Sequence, residues 1–164
     1  MSDARGEAYG DVQGDAPGNA PGNTHGEPSG IAPGDTLPPL RIPITRTLIV
    51  SGAIASRDYQ DVHHDAEAAR AKGSPDIFMN ILTTNGLVGR YLTDHFGPGT
   101  VLRKVAIRLG APNYPGDTME LTGTVTEVDG AVVRVRVAGA NRLGHHVTGT
   151  VTLTVPVTGG SAAP

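Results

Sequence analysis

The apolar positions between residues 77 and 96 recur every three to four residues, which is the period of a helix. Gly97-Pro98-Gly99 follows and would end a helix. Because the run is mostly apolar, we predict one long and largely buried helix. Gly86 and Gly89 each cost about 1 kcal/mol relative to alanine, so we expect another backbone to pack closely against them. The pattern comprises Ile77, Phe78, Ile81, Leu82, Leu87, Val88, Tyr91, Leu92 and Phe96.

Segments rich in β-branched residues lie on both sides of this helix and predict strands. Asp129-Gly130 predicts a two-residue hairpin turn, and Asn141-Arg142-Leu143-Gly144 a wider turn. A strand, a long buried helix and an antiparallel meander, in that order, indicate an α+β sheet wrapped around one helix. The predicted strands are 45–55 before the helix and 101–109, 118–128, 131–140 and 145–157 after it.

Residues 1–36 differ in composition from the rest of the chain. Glycine recurs every four residues from Gly6 to Gly34, with prolines and acids between. A collagen strand requires glycine at every third residue, and few apolar groups here could offset the entropy of ordering. We therefore predict a disordered tail at 1–36, one domain at 37–158 that begins with an extended segment, and a flexible C-terminus at 159–164.

The charge balance excludes several classes of partner. The net charge is -3, the pI is near 6.0, and no run of Lys or Arg occurs, so nothing predicts binding to nucleic acid or an anionic membrane. The chain has no cysteine, which excludes disulfides and thiolate metal sites. No apolar segment is long enough to span a membrane. We expect a cytoplasmic protein.

One acid and one histidine mark the candidate chemistry. Asp58 and His63 lie five residues apart, on the connection between the first predicted strand and a short capped helix at 65–73. Such a pair can converge on one small polar atom, for example a water, which is the outline of an acid/base site. The spacing alone also arises by chance, so this interpretation depends on the flanking features.

Other polar residues have simpler explanations than a site. His64 is expected at the start of the short helix. His145 and His146 could ligate a metal together with the earlier histidines, but adjacent strand residues point to opposite faces, so we expect one exposed and one packed ring and no metal. Thr84 and Asn85 either line a pocket or satisfy neighbouring backbone groups. Three basic residues on one predicted strand could contact the phosphate groups of a ligand, but we expect them to be solvated, namely Arg103, Lys104 and Arg108.

Three features in the same order resemble the hot-dog fold of the MaoC-like family. The family signature Asp-x-Asn-Pro-aliphatic-His matches residues 58–63, with Gln60-Asp61 in place of Asn-Pro. A strand, a proline, a turn and Gly-Asp-Thr match residues 105–118, and an asparagine and a glycine before the last strand match residues 141–144. The resemblance covers residues 44–155 and implies an antiparallel sheet around one long central helix.

Within the (R)-specific enoyl-CoA hydratases of that family, residues 57–65 and 76–83 look most like the small hydratase subunit of bacterial steroid side-chain degradation. The resemblance implies hydration of a trans-2-enoyl-CoA with a sterol-derived acyl group, giving a 3-hydroxyacyl-CoA. It implies no cofactor, because CoA is part of the substrate. It also implies a hetero-oligomer with a second MaoC-like hot-dog chain that lacks the Asp/His pair and helps to shape the acyl-CoA site.

The resemblance also implies roles for individual residues. Asp58 and His63 would hold the water between them, and which one removes the first proton stays open because interacting groups titrate as a pair. The family's oxyanion donor is a backbone N–H at the start of the central helix, usually at a His-Gly pair. Met79-Asn80 stands there, so the role passes to the Asn80 N–H. Asp61 either raises the pKa of the pair or faces solvent, and we favour solvent.

Two other functions remain open from the sequence. A hot-dog thioesterase would use the same scaffold to hydrolyse the thioester and would release free CoA thiol. A non-catalytic acyl-CoA-binding subunit would keep its function after Asp58→Ala.

Overall fold

The structure is a computed structural model that describes residues 30–156. The five strands of this range form one antiparallel sheet in the order β1-β3-β4-β5-β2. No helix in the described range is long and apolar enough to cross a membrane. The elements are β1 (Thr36–Pro43), α1 (Arg46–Ala55), a 3-10 turn (Asp61–His63), α2 (Ala66–Ala71), α3 (Ile81–Phe96), β2 (Val101–Leu109), β3 (Thr118–Asp129), β4 (Val132–Asn141) and β5 (Gly144–Thr154).

The sheet curves around α3, and the two share one hydrophobic core. Along β4, Val133, Val135 and Val137 are buried, whereas Arg134 and Arg136 between them are exposed. This period of two places one face of the strand against the helix and the other towards solvent. The predicted arrangement of an antiparallel sheet around one long helix is therefore confirmed. From α3 the core receives Leu87, Val88, Tyr91 and Leu92.

The strand predicted at 45–55 is wrong, because Arg46–Ala55 forms helix α1. Thr45 caps the helix, since its side chain accepts a hydrogen bond from the Leu48 N–H at 3.0 Å. Ile49 and Ala53, four residues apart, are buried on one face. β-Branched residues lower helix propensity only slightly, and this cap with the buried face outweighs them.

The first strand of the sheet is instead the segment predicted only as an extended start of the domain. Thr36–Pro43 forms β1 and pairs antiparallel with β3. Pro38 and Pro39 cannot donate to a ladder, and the register shifts between Leu37 and Leu40 where they lie. An edge strand tolerates them because only one of its sides is paired.

The predicted long helix begins four residues later than its apolar pattern. Residues 77–80 form no regular secondary structure and are fixed by backbone bonds to neighbouring loops. The Phe78 N–H donates to the Val62 carbonyl at 3.2 Å, and the Met79 N–H donates to the Asn113 carbonyl at 3.1 Å. Ile77 and Met79 are buried although they are not helical, because both side chains pack into the hydrophobic core.

The other elements lie close to their predicted positions. The short helix is Ala66–Ala71, and Asp65 caps it through the N–H groups of Glu67 and Ala68. Asp129 pairs with Val132, so the hairpin loop is one residue later than predicted. The turn at residues 141–144 is tighter than predicted, because Asn141 pairs with Gly144. The last strand ends at Thr154 rather than at residue 157.

The predicted tail at 1–36 lies outside the described residues as far as residue 29. The paired chain begins before the predicted boundary, because the Gly34 N–H donates to the Val125 carbonyl and the Val125 N–H donates to the Asp35 carbonyl, both at 2.8 Å. The predicted flexible C-terminus at 159–164 lies outside the described residues.

A polar contact inside the core joins α3 to β5. His146 is 1% exposed, donates from Nδ1 to the Ala111 carbonyl at 2.7 Å, and accepts at Nε2 from the Thr84 hydroxyl at 2.8 Å. Burial lowers the pKa of His146, which keeps the ring neutral. His145 beside it is exposed, as predicted for adjacent strand residues. The Thr84 hydroxyl therefore serves as a hydrogen-bond donor to a buried side chain of the core.

The close approach of two helices occurs at Gly52 of α1. A Cβ there would lie 2.2 Å from Thr83 Oγ1 and 2.8 Å from Thr83 Cγ2. Nothing lies within 4 Å of the corresponding position on Gly86, and Gly89 meets only the Leu102 side chain, at 3.1 Å. The expectation of a backbone packed against Gly86 and Gly89 is therefore wrong.

This contrast predicts opposite effects of the same substitution. Gly86→Ala should raise the free energy of unfolding by up to about 1 kcal/mol, because alanine favours a helix and the site is open. Gly52→Ala carries the same intrinsic gain but should lower stability, because the Thr83 side chain must move. Urea unfolding of the full chain measures both variants, and Thr83→Ala should recover part of the Gly52→Ala loss. Equal stabilisation by the two alanines would contradict the packing described here.

Candidate active site

The candidate site lies where the end of α1 meets the beginning of α3. Asp58 follows α1 and its N–H donates to the Ala53 carbonyl at 2.9 Å, which turns the chain back over the end of the helix. Arg57, directly before it, has φ of 57°, a left-handed conformation that costs energy in a residue other than glycine. The backbone at Arg57 is thus held in an unfavourable conformation, and this conformation sets the position of Asp58 at the end of α1.

His63 is held by the 3-10 turn and by the segment before α3. Its side chain is only 7% exposed, and its Nδ1 lies 2.7 Å from the Phe78 carbonyl oxygen. A carbonyl can only accept, so Nδ1 carries the hydrogen and Nε2 of the neutral ring has the free lone pair. The Phe78 ring packs edge-to-face on the imidazole at 5.1 Å between centroids.

The structure brings the two predicted residues together. His63 Nε2 lies 3.4 Å from Asp58 Oδ2, and the Asp58 side chain is 19% exposed, so a small molecule can reach it. With the ring neutral, both atoms accept hydrogen bonds. A water placed between them can donate one hydrogen to each, and an imidazolium could instead donate directly to the carboxylate. The pair is therefore suited to binding and deprotonating a water.

The N-terminus of α3 faces the same region. The backbone N–H groups of Asn80, Ile81 and Leu82 have no backbone acceptor within residues 30–156. First-turn amides of a helix point along its axis and carry the positive end of its dipole, which suits a developing negative charge. The residue named from the sequence as an oxyanion donor therefore has an available N–H.

The Asn80 side chain was not singled out from the sequence, and neither was Ser56. Asn80 is 2% exposed, and its Nδ2 donates to Asp58 Oδ2 at 3.0 Å and to Ser56 Oγ at 2.9 Å. Its Oδ1 accepts from the Thr83 N–H at 2.9 Å, which makes Asn80 the N-cap of α3. An asparagine before a helix is a signal for a cap, but only the tertiary structure shows that the same side chain meets Asp58.

Asp61, next to the pair in sequence, is directed away from it. Its carboxylate binds the Lys72 ammonium at 2.5 and 2.7 Å, and this contact lowers the pKa of Asp61. The expectation that Asp61 faces solvent holds in part, because its side chain is 40% exposed but ion-paired. The ion pair joins the 3-10 turn to the end of α2, where the family signature has a rigid proline.

Apolar side chains are exposed on the elements that carry the site. They belong to the last turn of α1, the loop beside Asp58 and the first turn of α3. Side chains of this size are usually buried, so their clustering indicates a surface that contacts an apolar ligand or another chain. They are Ile54 at 58% exposure, Tyr59 at 69%, Ile81 at 45% and Leu82 at 48%.

The sequence matches a known family over most of its described length. The family described as MaoC like domain matches residues 30–148. The chain belongs to the MaoC-like family. It is 50% identical over 122 residues to the 3-oxo-4,17-pregnadiene-20-carboxyl-CoA hydratase beta subunit of Mycobacterium tuberculosis, a match that covers 74% of this chain and 95% of that protein.

Solved structures of MaoC-like proteins share the fold. The crystal structure of the ChsH1-ChsH2 complex from Mycobacterium tuberculosis contains a chain with 49% identity and a TM-score of 0.75, covering 76% of this chain and 98% of that one. The (R)-hydratase from A. caviae involved in PHA biosynthesis has 17% identity and a TM-score of 0.72, with 78% and 99% coverage, and shows the fold alone. The predicted hot-dog fold is confirmed.

The hydrogen bonds predict one tautomer for the two buried histidines. His63 and His146 both place Nδ1 on a carbonyl oxygen, so each neutral ring should carry its hydrogen on Nδ1. Ring nitrogen NMR at about pH 8, where histidine is neutral, measures this directly. Exposed His145 serves as the control and should show a tautomer mixture. A hydrogen on Nε2 of His63 would refute the orientation described for the site.

Proposed function

We propose that this chain is the catalytic subunit of an enoyl-CoA hydratase and adds water to a trans-2-enoyl-CoA to give a 3-hydroxyacyl-CoA. The observation that carries the proposal is the 3.4 Å separation of Asp58 Oδ2 and His63 Nε2, two acceptors that can share one water. The family and the hydratase name of the 50% identical relative agree with this chemistry.

The reaction requires three groups, and the site supplies a candidate for each. The Asp58 and His63 pair removes a proton from the water, whose oxygen then attacks C3 of the enoyl group. The electron pair of the C2–C3 double bond moves towards the thioester, and the Asn80 N–H stabilises the oxygen on which negative charge develops. The proton held by the pair is then delivered to C2. The scheme uses no metal or redox cofactor.

The acyl group is proposed to be steroid-derived. The 50% identical relative is named for a substrate with a four-ring carbon skeleton, 3-oxo-4,17-pregnadiene-20-carboxyl-CoA. The exposed apolar side chains Ile54, Tyr59, Ile81 and Leu82 lie on the elements that carry the dyad and suit a bulky apolar acyl group. Burying such a group against them would supply binding energy through the hydrophobic effect.

A second MaoC-like chain is proposed as the partner, because the structurally similar chain belongs to the ChsH1-ChsH2 complex. Strand β2 is an edge of the sheet and pairs only with β5 among the described strands. Val101 and Leu102 on it are 46% and 36% exposed. An open strand edge with apolar side chains is readily covered by another chain.

Substitution of either dyad residue should abolish hydration. Asp58→Asn and His63→Gln should each lower kcat by about 100-fold to 10,000-fold, because each removes a proton-accepting atom of the pair. The assay follows loss of the conjugated enoyl absorbance of a steroid-derived trans-2-enoyl-CoA, with crotonyl-CoA as a short-chain comparison. A thiol reagent runs in parallel.

His64→Gln is the matched control for this experiment. His64 is exposed and its Nε2 lies 3.3 Å from the Tyr59 carbonyl, away from the dyad, so activity should stay within about threefold of wild type. Release of free thiol would assign the chain to the thioesterases instead. Binding of the CoA ester without any change in absorbance would assign it to the non-catalytic subunits.

The active species should be larger than the single chain. Light scattering coupled to size exclusion should give a mass above the 16.8 kDa of one chain, and activity should require the second MaoC-like chain. The physical reason is the open β2 edge, which association would cover. A stable monomer that hydrates the substrate alone would show that the partner is not needed.

A further inference from the structure

The orientation of the Asn80 amide is determined by its neighbours. The Thr83 N–H can only donate, so the atom 2.9 Å from it must be the amide oxygen. The NH2 group therefore points the other way, towards Asp58 and Ser56. Both of its hydrogens have an acceptor, and the side chain is 2% exposed, so water does not compete for these bonds.

Ser56 fixes the direction of the remaining bond. Its single hydroxyl hydrogen has two carbonyl acceptors within reach in α1, Gly52 at 2.7 Å and Ala53 at 3.2 Å, so Oγ is free to accept from Asn80. Asn80 therefore donates to Ser56, which donates to α1, and Asn80 also donates directly to Asp58. One amide thus joins the N-terminus of α3 to the C-terminus of α1 and to the carboxylate of the dyad.

Asn80 donates to the oxygen of Asp58 that faces His63. Both the Asn80 Nδ2 contact at 3.0 Å and the His63 Nε2 contact at 3.4 Å involve Oδ2. Asp58 is partly exposed, and without a donor on Oδ2 its carboxylate could rotate about the bond to Cβ. With the donor in place, one lone pair of Oδ2 is occupied and the other is available for the water shared with His63.

We propose that the Asn80 side chain is a positioning residue of the dyad, in addition to the backbone N–H of the same residue, and that it acts by donating to Asp58 Oδ2. The inference rests on the proposed hydratase function. The simpler explanation is that Asn80 only caps α3. The two explanations differ because aspartate and serine cap a helix about as well as asparagine but do not supply this N–H donor.

Asn80→Asp separates the two roles with almost no change in shape. The new carboxylate still accepts from Thr83, so α3 keeps its cap and the chain should stay folded, with a melting temperature that is lower at pH 8 than at pH 6 because two neighbouring carboxyl groups repel each other. At about pH 8 an oxygen replaces the donor beside Asp58, and kcat should fall about 100-fold while KM changes less than about threefold. The measurement uses the full chain with its partner chain and the same trans-2-enoyl-CoA.

A pH series gives a readout that a helix cap would not affect. Two carboxyl groups this close cannot both ionise easily, so one takes up a proton as the pH falls. The protonated carboxyl then supplies an O–H donor in place of the lost N–H. The ratio of variant to wild-type kcat should therefore rise about tenfold between about pH 8 and pH 6. His63 and Asp58 face this position, and His146 lies behind Thr84. All three are present in every variant, and Asn80→Ser, which introduces no carboxyl, serves as the reference for the pH series.

Two further variants complete the experiment. Asn80→Ser should keep the cap and lose kcat without the recovery at low pH, since it introduces no carboxyl. Asp65→Asn exchanges the same residue types at the cap of α2 and should leave kcat within about twofold. The proposal is overturned if Asn80→Asp keeps wild-type kcat at pH 8 while Asp58→Asn is inactive. If Asp58→Asn is itself active, the dyad assignment fails first and this proposal fails with it.

Discussion

Asn80, the N-cap residue of α3, is buried, whereas the first residues of the helix itself, Ile81 and Leu82, are exposed. A helix leaves four N–H groups unpaired at this end, and such a group is costly wherever water cannot reach it. Asn80 satisfies one through its side-chain oxygen, on the Thr83 N–H. The segment before the helix is held to the loops at Val62 and Asn113. The same geometry brings Asp58 and His63 to the helix end, so the capping of α3 and the candidate chemistry depend on one arrangement.

Two basic side chains, Arg46 and Lys72, form ion pairs with carboxylates other than Asp58. Arg46 binds Asp76 through two nitrogens, at 3.1 and 2.6 Å, and this contact lowers the pKa of Asp76. Lys72 does the same for Asp61. Among the described residues, no lysine or arginine forms an ion pair with Asp58, whose hydrogen-bond donors are the Asn80 side-chain amide and the Gln60 N–H. A carboxylate held by neutral donors remains able to accept a proton, which a tight ion pair with arginine would oppose.

The sequence predicted the long helix and the hairpins because their apolar periods are strong and local. It misjudged Arg46–Ala55, where β-branched residues favour a strand but the Thr45 cap and one buried face stabilise a helix. The proximity of Asp58 and His63 was predictable because the two residues lie five positions apart in a recognisable signature. The Asn80 contact was not, because it joins residues 22 positions apart and exists only after α1 turns back onto α3. A local sequence pattern cannot predict a contact between residues so far apart in the chain.

The four polar residues of the candidate site, Ser56, Asp58, His63 and Asn80, lie in one stretch of chain, and the strands contribute none of them. The hydrophobic core takes Ala69, Ile77 and Met79 from this stretch but none of those four residues. A duplicated copy of this gene could therefore lose the dyad and still fold around the same helix. Divergence of that kind would yield two related chains, one that retains the chemistry and one that is free to reshape the surface beside it.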